Sequence, residues 1–216
     1  MRKLLNKLDR KYGRYGIENL MMYIVGAMAI VYFMDYALYD TLEASLNSIL
    51  IFDRAAIFRG ELWRLVTFVF TATTSHPFLL VFTLYFYWLS GRGLEAQWGT
   101  FKFNVFYFTG LISSLIFGLI IGYATNYYIN MSLFLAFAIL YPNYEILLFF
   151  FLPVKVKYLA IFDGVALAAS FIFSNWKGRI ALIIALANLI IFFGPDLIDK
   201  LKYDKRRHDY QKKVNK

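Results

Sequence analysis

Residues 127–141, YYINMSLFLAFAILY, form an uncharged stretch that ends at Pro142 and constrains how the rest of the chain is arranged. As a helix rising about 1.5 Å per residue, the stretch would be only about 22 Å long, whereas a bilayer's hydrocarbon core is about 30 Å thick. It also contains Asn130 and Ser132, whose polar atoms would lack hydrogen-bond partners in lipid. The stretch therefore predicts a short central helix that longer helices surround.

The composition of the chain is that of an integral membrane protein. Its 216 residues are 60% hydrophobic and 20% aromatic, and the mean hydropathy is +0.55. One soluble domain of this length cannot bury so much apolar surface. The chain has no cysteine, which excludes thiol catalysis, disulfides and cysteine metal sites, and its two histidines, His76 and His208, leave little room for imidazole chemistry. We expect no cofactor and no metal ion.

The net charge of +9 is concentrated at the two ends of the chain. Basic flanks are typical of the cytoplasmic side of a membrane bundle, so we expect no nucleic-acid partner. The predicted divisions are a basic amphipathic segment (1–19), a membrane domain (20–195) and a basic tail (196–216). In the first segment, Leu4, Leu5 and Leu8 share one helical face, which suits either a helix lying on an anionic membrane surface or a plain basic flank.

Six apolar segments are predicted to span the membrane, which makes the fold an all-α polytopic membrane protein. They are residues 20–38, 77 to at least 88, 101–124, 127–141, 158–173 and 180–193. With six spans both termini lie on one side, and that side holds 18 of the 23 Lys and Arg residues. The positive-inside rule then places both termini in the cytoplasm. A chain without Cys and rich in Lys, Ile, Phe, Tyr and Asn indicates a prokaryotic plasma membrane.

Two further regions are apolar but cannot span. Residues 39–76 alternate apolar clusters with charges, which predicts a segment lying among the lipid headgroups outside the cell. Residues 143–157 contain Pro153 and two lysines, which predicts an interfacial loop. Within the third span, small residues recur every four positions and predict a stripe where another backbone approaches closely: Gly110, Ser114, Gly118 and Gly122.

Four motifs resemble those of the rhomboid superfamily, in the order and on the membrane sides expected for that family. Residues 61–68, ELWRLVTF, resemble the Trp-Arg motif of its first loop, here Trp63 and Arg64. Residues 91–99, GRGLEAQWG, resemble the Gly-Glu-Gly pattern that closes its second helix, here with Gly91, Glu95 and Gly99. Residues 140–142 and 150–159 are similar to the end of its fourth helix and the start of its fifth. The resemblance covers about residues 20–195 and implies a six-helix rhomboid-like bundle.

Physical chemistry gives these motif residues structural roles. The amphipathic ring of Trp63 suits the interface, and Arg64 can bind either phosphate headgroups or a backbone carbonyl. Glu95 can pair with Arg92 or accept hydrogen bonds from the adjoining loop.

The residues that rhomboid proteases use for catalysis are missing from this sequence. The family uses a Gly-X-Ser-Gly serine on the fourth helix and a histidine on the sixth, because a serine hydroxyl needs an adjacent base. Here Ser132 has no flanking glycine, and the sixth span has no histidine. The resemblance therefore implies a rhomboid-like pseudoprotease, similar to the Derlin type. Such a protein would bind transmembrane segments of client membrane proteins and contact membrane lipids. The short central helix and the loop in one leaflet predict in addition that the bundle thins the bilayer locally.

Asp163 is the one formal charge deep in a predicted span, and intramembrane carboxylates often mark function. Together with Asn130, Ser132 and Asn188 it forms a candidate intramembrane polar site. We expect Asp163 to hydrogen-bond Asn130, Ser132 or Asn188 within the bundle. Two alternatives use the same residues: an intramembrane serine protease with a non-standard site at Ser132, and a small-molecule or ion carrier.

Overall fold

Helices account for most of the residues that the structure, a computed structural model, describes: 2–42, 45–72, 74, 76–148, 152–184, 186–192 and 194. In chain order they are α1 (Arg2–Tyr12), α2 (Leu20–Leu42), α3 (Leu46–Leu50), α4 (Arg54–Phe58), α5 (Arg64–Thr67), α6 (Pro77–Trp98), α7 (Thr100–Ile121), α8 (Tyr127–Leu140) and α9 (Val156–Phe173). Turns of 3-10 helix cover Gly13–Tyr15 and Phe68–Phe70, and residues 176–184 and 186–192 are helical. The predicted tail, 196–216, lies outside the described residues.

Three helical stretches among the described residues are long and apolar enough to cross a membrane: Leu20–Leu38, Thr100–Ile121 and Val156–Phe173. No more than 33% of any of them is buried inside the protein, and each presents exposed large apolar side chains, such as Phe33, Ile112 and Phe162. Exposed apolar side chains on helices of this length suit an apolar solvent. The chain is therefore a predominantly helical membrane protein.

The short helix α8 is enclosed by its neighbours, as the sequence predicted. Eight of its 14 side chains are buried, and it packs against α6, α7 and α9. At about 1.5 Å per residue its length is about 21 Å, against about 33 Å for α6 or α7. Because its surroundings are protein, α8 can carry Asn130 and Ser132 without exposing them to lipid.

Several helix ends differ from the prediction. α2 runs to Leu42, past the expected end at residue 38. α6 continues without interruption through Gly91 and Glu95 to Trp98, and the next helix starts at once because Gly99 has a φ of +85°, which reverses the chain. Helical structure after α9 begins at residue 176 rather than 180.

The stretch predicted as an interfacial loop at 143–157 contains two paired antiparallel strands. Strand β1 (Glu145–Leu148) pairs with β2 (Leu152–Lys155), with Glu145 opposite Lys155. The all-α prediction is wrong for these residues. The error has a physical cause: a two-stranded edge position tolerates Pro153, which lacks a backbone donor, and apolar residues with no helical period also suit a strand.

Candidate functional site

The Trp-Arg motif lies in residues 39–76, which we call the interfacial segment because the sequence predicts that they lie among the lipid headgroups. Arg64 is 8% exposed and donates from Nη1 to the backbone carbonyls of Ser48 (2.9 Å) and Ile51 (3.0 Å). Its Nε donates to Glu61 (2.7 Å), which also forms an ion pair with Nη2. Of the two partners considered for Arg64, backbone carbonyls are the ones found. They belong to the C-terminal end of α3, where carbonyls have no intrahelical partner.

Two other side chains of this segment bind the same end of α3. Trp63, half exposed, lies with its indole nitrogen 3.4 Å from the carbonyl oxygen of Ile49, and Thr67 donates to that of Leu50 (2.9 Å). Trp63 and Arg64 thus join α5 to α3, while the remaining surface of the indole faces outward. The structure gives the motif a clear architectural role.

Arg54 is a residue that motif analysis missed. Its Nη1 donates to the carbonyls of Ile120 (3.0 Å) and Leu119 (3.4 Å), at the C-terminal end of α7. α7 ends there because Gly122 adopts a φ of +78°, the left-handed conformation typical after a helix. Arg54 thereby ties the interfacial segment to a membrane span. A basic side chain close to a glycine that ends a helix could have indicated this contact, but Arg54 and Gly122 lie far apart in the sequence.

The glycines of residues 91–99 permit close contacts on two sides of α6. A Cβ placed on Gly91 would lie 2.5 Å from Cβ and Cγ of Met21 on α2. A Cβ placed on Gly93 would lie 2.5 Å from a ring carbon of Phe137 on α8. Carbon atoms normally stay about 3.5 Å or more apart. This end of α6 therefore packs between α2 and α8 only because both positions lack side chains.

Glu95 has neither of the two partners expected for it, Arg92 or the loop after α6. Its Oε1 accepts a hydrogen bond from the backbone N–H of Asn19 (3.0 Å), one residue before α2 begins. Arg92 lies over the Trp88 ring at 5.3 Å instead. A carboxylate is favourable at a helix N-terminus, so this hydrogen bond from Asn19 to Glu95 holds the start of α2 against the end of α6.

The small-residue stripe of α7 meets several segments rather than one neighbouring backbone. A Cβ on Gly110 would lie 2.9 Å from the Asn188 amide nitrogen, and a Cβ on Gly118 would lie 3.1 Å from the Phe52 ring. Ser114 lines a small cavity, and Gly122 forms the helix stop beside Arg54. The predicted contact with one neighbouring backbone is therefore replaced by side chains from different parts of the chain.

The four residues of the predicted polar site line two separate cavities on opposite sides of α8. Asn130 and Asp163 line the first, and Ser132 and Asn188 line the second. Residues two apart on a helix point about 200° away from each other, a signal that was available in the sequence. Among the described residues, Asp163 forms none of the expected hydrogen bonds. The amide atoms of Asn130 have no partner there, Ser132 donates to the Ile129 carbonyl (2.7 Å), and Asn188 donates to the Phe106 carbonyl.

The first cavity, which we call the α6–α9 cavity, is the candidate functional site. It has a volume of about 270 Å³ and lies between α6, α8 and α9. Its lining is mainly aromatic and apolar: Phe82, Thr83, Phe86, Tyr87, Tyr127, Asn130, Met131, Phe134, Leu159, Phe162 and Asp163. Both amide atoms of Asn130 and Oδ2 of Asp163 are buried there, and no described residue offers any of the three a hydrogen bond. Phe162, 75% exposed, marks its outer side.

The second cavity is much smaller, about 20 Å³, with room for one water molecule. Ser132 is 2% exposed there, and Asn188 donates to the Phe106 carbonyl (3.2 Å) while its Oδ1 is unpartnered. Asp163 is not in this cavity, so the structure does not pair it with the Ser132 hydroxyl. Within the described ranges, no group of three or more His, Asp and Glu side chains could hold a metal ion.

No protein-family model matches this chain, and the comparison with curated proteins finds no match. Fold and hydropathy therefore define the class of protein directly: a mostly helical membrane protein with a short enclosed helix, α8, beside an aromatic cavity.

Proposed function

We propose that this chain is a rhomboid-like pseudoprotease that binds transmembrane segments of client proteins at the α6–α9 cavity. In this proposal six segments span a prokaryotic plasma membrane with both termini in the cytoplasm. The observation that carries the proposal is the pair of unpartnered polar groups, Asn130 and Asp163, in an aromatic cavity beside an outward-facing apolar surface.

The chemistry of the cavity selects the kind of client. Apolar walls accept the apolar side chains of a transmembrane helix, and α6 and α9 both present exposed apolar residues such as Val81 and Phe162. A polar side chain within that helix would find hydrogen-bond partners in Asn130 and Asp163 that lipid does not offer. Interhelical hydrogen bonds of this kind contribute about 0.6 to 2 kcal/mol each. The preferred client therefore carries an amide or hydroxyl near the middle of its span.

The lengths of the helices support a second part of the proposal. α8 is about 12 Å shorter than α6 or α7, and the interfacial segment occupies one leaflet without spanning it. Beside the interfacial segment, and at the α6–α9 cavity where α8 lines an opening in the bundle, the bilayer would thin or deform, at a cost of fractions of a kcal/mol per ångström of mismatch. Over several ångströms this lowers the barrier for a client helix that moves sideways into the cavity. Small-angle scattering should then find a thinner hydrocarbon layer in nanodiscs that contain the protein than in empty ones. An unchanged thickness would refute the thinning.

The client proposal is tested by site-specific photocrosslinking in proteoliposomes. A photoreactive residue replaces Phe162, which lines the cavity, or Ile112 of α7, which is 53% exposed and lies elsewhere. The probes are two model single-span helices, identical except for Asn or Leu at the centre. We expect crosslinks from position 162 and not from 112, with a higher yield for the Asn helix.

Substitutions connect the crosslinks to the polar groups. Asn130→Leu and Asp163→Leu should each lower the yield with the Asn helix about fivefold to tenfold, the equivalent of about 1 to 1.4 kcal/mol. Ser132→Ala is the matched control, because its hydroxyl lines the other cavity, and it should change nothing. Equal crosslinking from 162 and 112, or no effect of either Leu substitution, would refute the binding site. Labelling of Ser132 by a fluorophosphonate, lost in Ser132→Ala, would refute the pseudoprotease assignment.

A further inference from the structure

The N-terminal helix α1 carries a cationic groove that the client-binding proposal does not use. Asn6, Lys7, Arg10 and Lys11 line an open depression on its surface, and all four are exposed. The three cations stand at positions i, i+3 and i+4, so they project from one face of the helix. We propose that this groove is a binding site for the headgroup of an anionic phospholipid.

The acidic residue of α1 does not neutralise the groove. Asp9 lies 3.7 Å from Lys102 at the start of α7, and that ion pair directs the carboxylate toward the bundle. Leu5 and Leu8 are partly buried, so the apolar side of α1 also contacts the protein. The outward face is therefore cationic, which is the charge needed to bind a phosphodiester.

The chain after α1 holds the groove at one end of the bundle. The backbone N–H of Ile17 donates to Oδ1 of Asn104 on α7, and Nδ2 of Asn104 donates to the Ile17 carbonyl, each at 3.0 Å. Gly16 fits against Thr100, where an added Cβ would be 2.9 Å from the threonine methyl. α2 begins, α6 ends and α7 begins at this same end. The ends of membrane-spanning helices lie at headgroup level, so the groove is at the depth of lipid phosphates.

Two tyrosines beside the cations identify the ligand as a lipid rather than a free anion. Tyr12 and Tyr15 are 40% and 65% exposed, and Lys11 and Arg14 lie over their rings at 5.1 and 4.8 Å. Tyrosine is enriched at membrane–water interfaces because its ring is apolar and its hydroxyl is polar. A cationic groove with such rings next to it fits a phosphate that is attached to the bilayer.

The test measures lipid binding by the full chain in a neutral detergent. Native mass spectrometry counts bound short-chain phosphatidylglycerol, with phosphatidylcholine as the neutral comparison. Taking for each cation the roughly fivefold that a Lys or Arg contributes beside anionic lipid, Lys7→Gln/Arg10→Gln/Lys11→Gln should bind phosphatidylglycerol roughly 100-fold more weakly. The matched control, Lys155→Gln/Lys157→Gln/Lys177→Gln, loses the same charge elsewhere and should bind normally. Lys7→Arg/Lys11→Arg keeps the charge and should retain the affinity.

Each alternative result has a definite meaning. Equal weakening in the control would show that overall charge, not the groove, binds the lipid, and the proposal would be overturned. Equal binding of phosphatidylcholine would overturn it too. Displacement of the lipid by an equal concentration of inorganic phosphate would identify a free-anion site instead. The three altered side chains are exposed, so the thermal unfolding midpoint in neutral detergent should stay the same, which separates lost binding from lost folding.

Discussion

Replacing Gly93 with alanine should destabilise the packing of α6 against the central helix. The new methyl group would lie 2.5 and 2.8 Å from Cε2 and Cδ2 of Phe137. That ring cannot move aside freely, because Phe137 is 2% exposed and its ring packs against those of Tyr141 (centroids 5.1 Å apart, tilted) and Tyr144 (5.9 Å, edge to face). The substitution therefore forces the two helices apart or moves the ring out of its rotamer.

The magnitude follows from two opposing terms. Alanine is favoured over glycine within a helix by about 0.5–1 kcal/mol, whereas overpacking a buried contact costs about 1–3 kcal/mol. Gly26 of α2 isolates the first term, since a Cβ there would meet nothing within 4 Å. We expect Gly26→Ala to be neutral or slightly stabilising, and Gly93→Ala to be about 1–3 kcal/mol less stable than Gly26→Ala, the cost of overpacking alone.

The assay is steric-trap unfolding in bicelles, which measures the free energy of unfolding of a membrane protein in lipid. Phe137→Leu removes the ring atoms in question and should recover part of the loss when combined with Gly93→Ala. A double-mutant cycle over Gly93 and Phe137 would then give a coupling energy of about 1 kcal/mol or more. If Gly93→Ala is as stable as Gly26→Ala, or if the two substitutions simply add, the contact is not the reason for glycine at this position.

Two further predictions concern the interfacial segment. Hydrogen bonds from the backbone N–H groups of Ala56 and Ala55 lower the pKa of the Asp53 carboxyl, so its stabilisation of α4 is present above the ordinary aspartate pKa and is lost as the pH falls through the lowered value. On acidification, hydrogen exchange of residues 54–58 should therefore become faster in the unaltered chain than in Asp53→Asn, whose capping oxygen does not titrate. Exchange that becomes slower than in Asp53→Asn would contradict this. Arg64→Ala leaves the Ser48 and Ile51 carbonyls unpartnered and should destabilise the segment by about 2–4 kcal/mol, measured as faster limited proteolysis. The exposed Arg59→Ala is its control, and equal proteolysis of the two variants would refute the anchoring role.

Much of the helix layout follows from the sequence because it depends on local properties. The start at Leu20 and the apolar runs of α7 and α9 are set by hydropathy and length, and the predicted boundaries differ from the structure by a few residues. Enclosure of α8 was predictable for the same reason: a helix about 21 Å long with two polar side chains cannot face lipid. The two paired strands, β1 and β2, were not predicted, since short apolar runs carry no clear period.

The site depended on tertiary structure to a greater extent. Helical periodicity alone places Asn130 and Ser132 on opposite faces of α8. It cannot show that Asp163 joins Asn130 in one cavity while Asn188 joins Ser132 in the other. Those pairings depend on how α9 and residues 176–192 pack around α8, and packing is decided by the shapes of many side chains together.

Hydropathy, segment length and charge placement thus determined by themselves that this is a membrane protein with a short inner helix, because each is a property of neighbouring residues. Only the tertiary structure decided that Arg64 binds the end of α3, that Arg54 binds the end of α7, and that Glu95 binds the start of α2. The physical reason is the same in each case. A helix end offers unpaired backbone groups to any side chain that folding brings near, and the order of residues along the chain does not specify which one arrives.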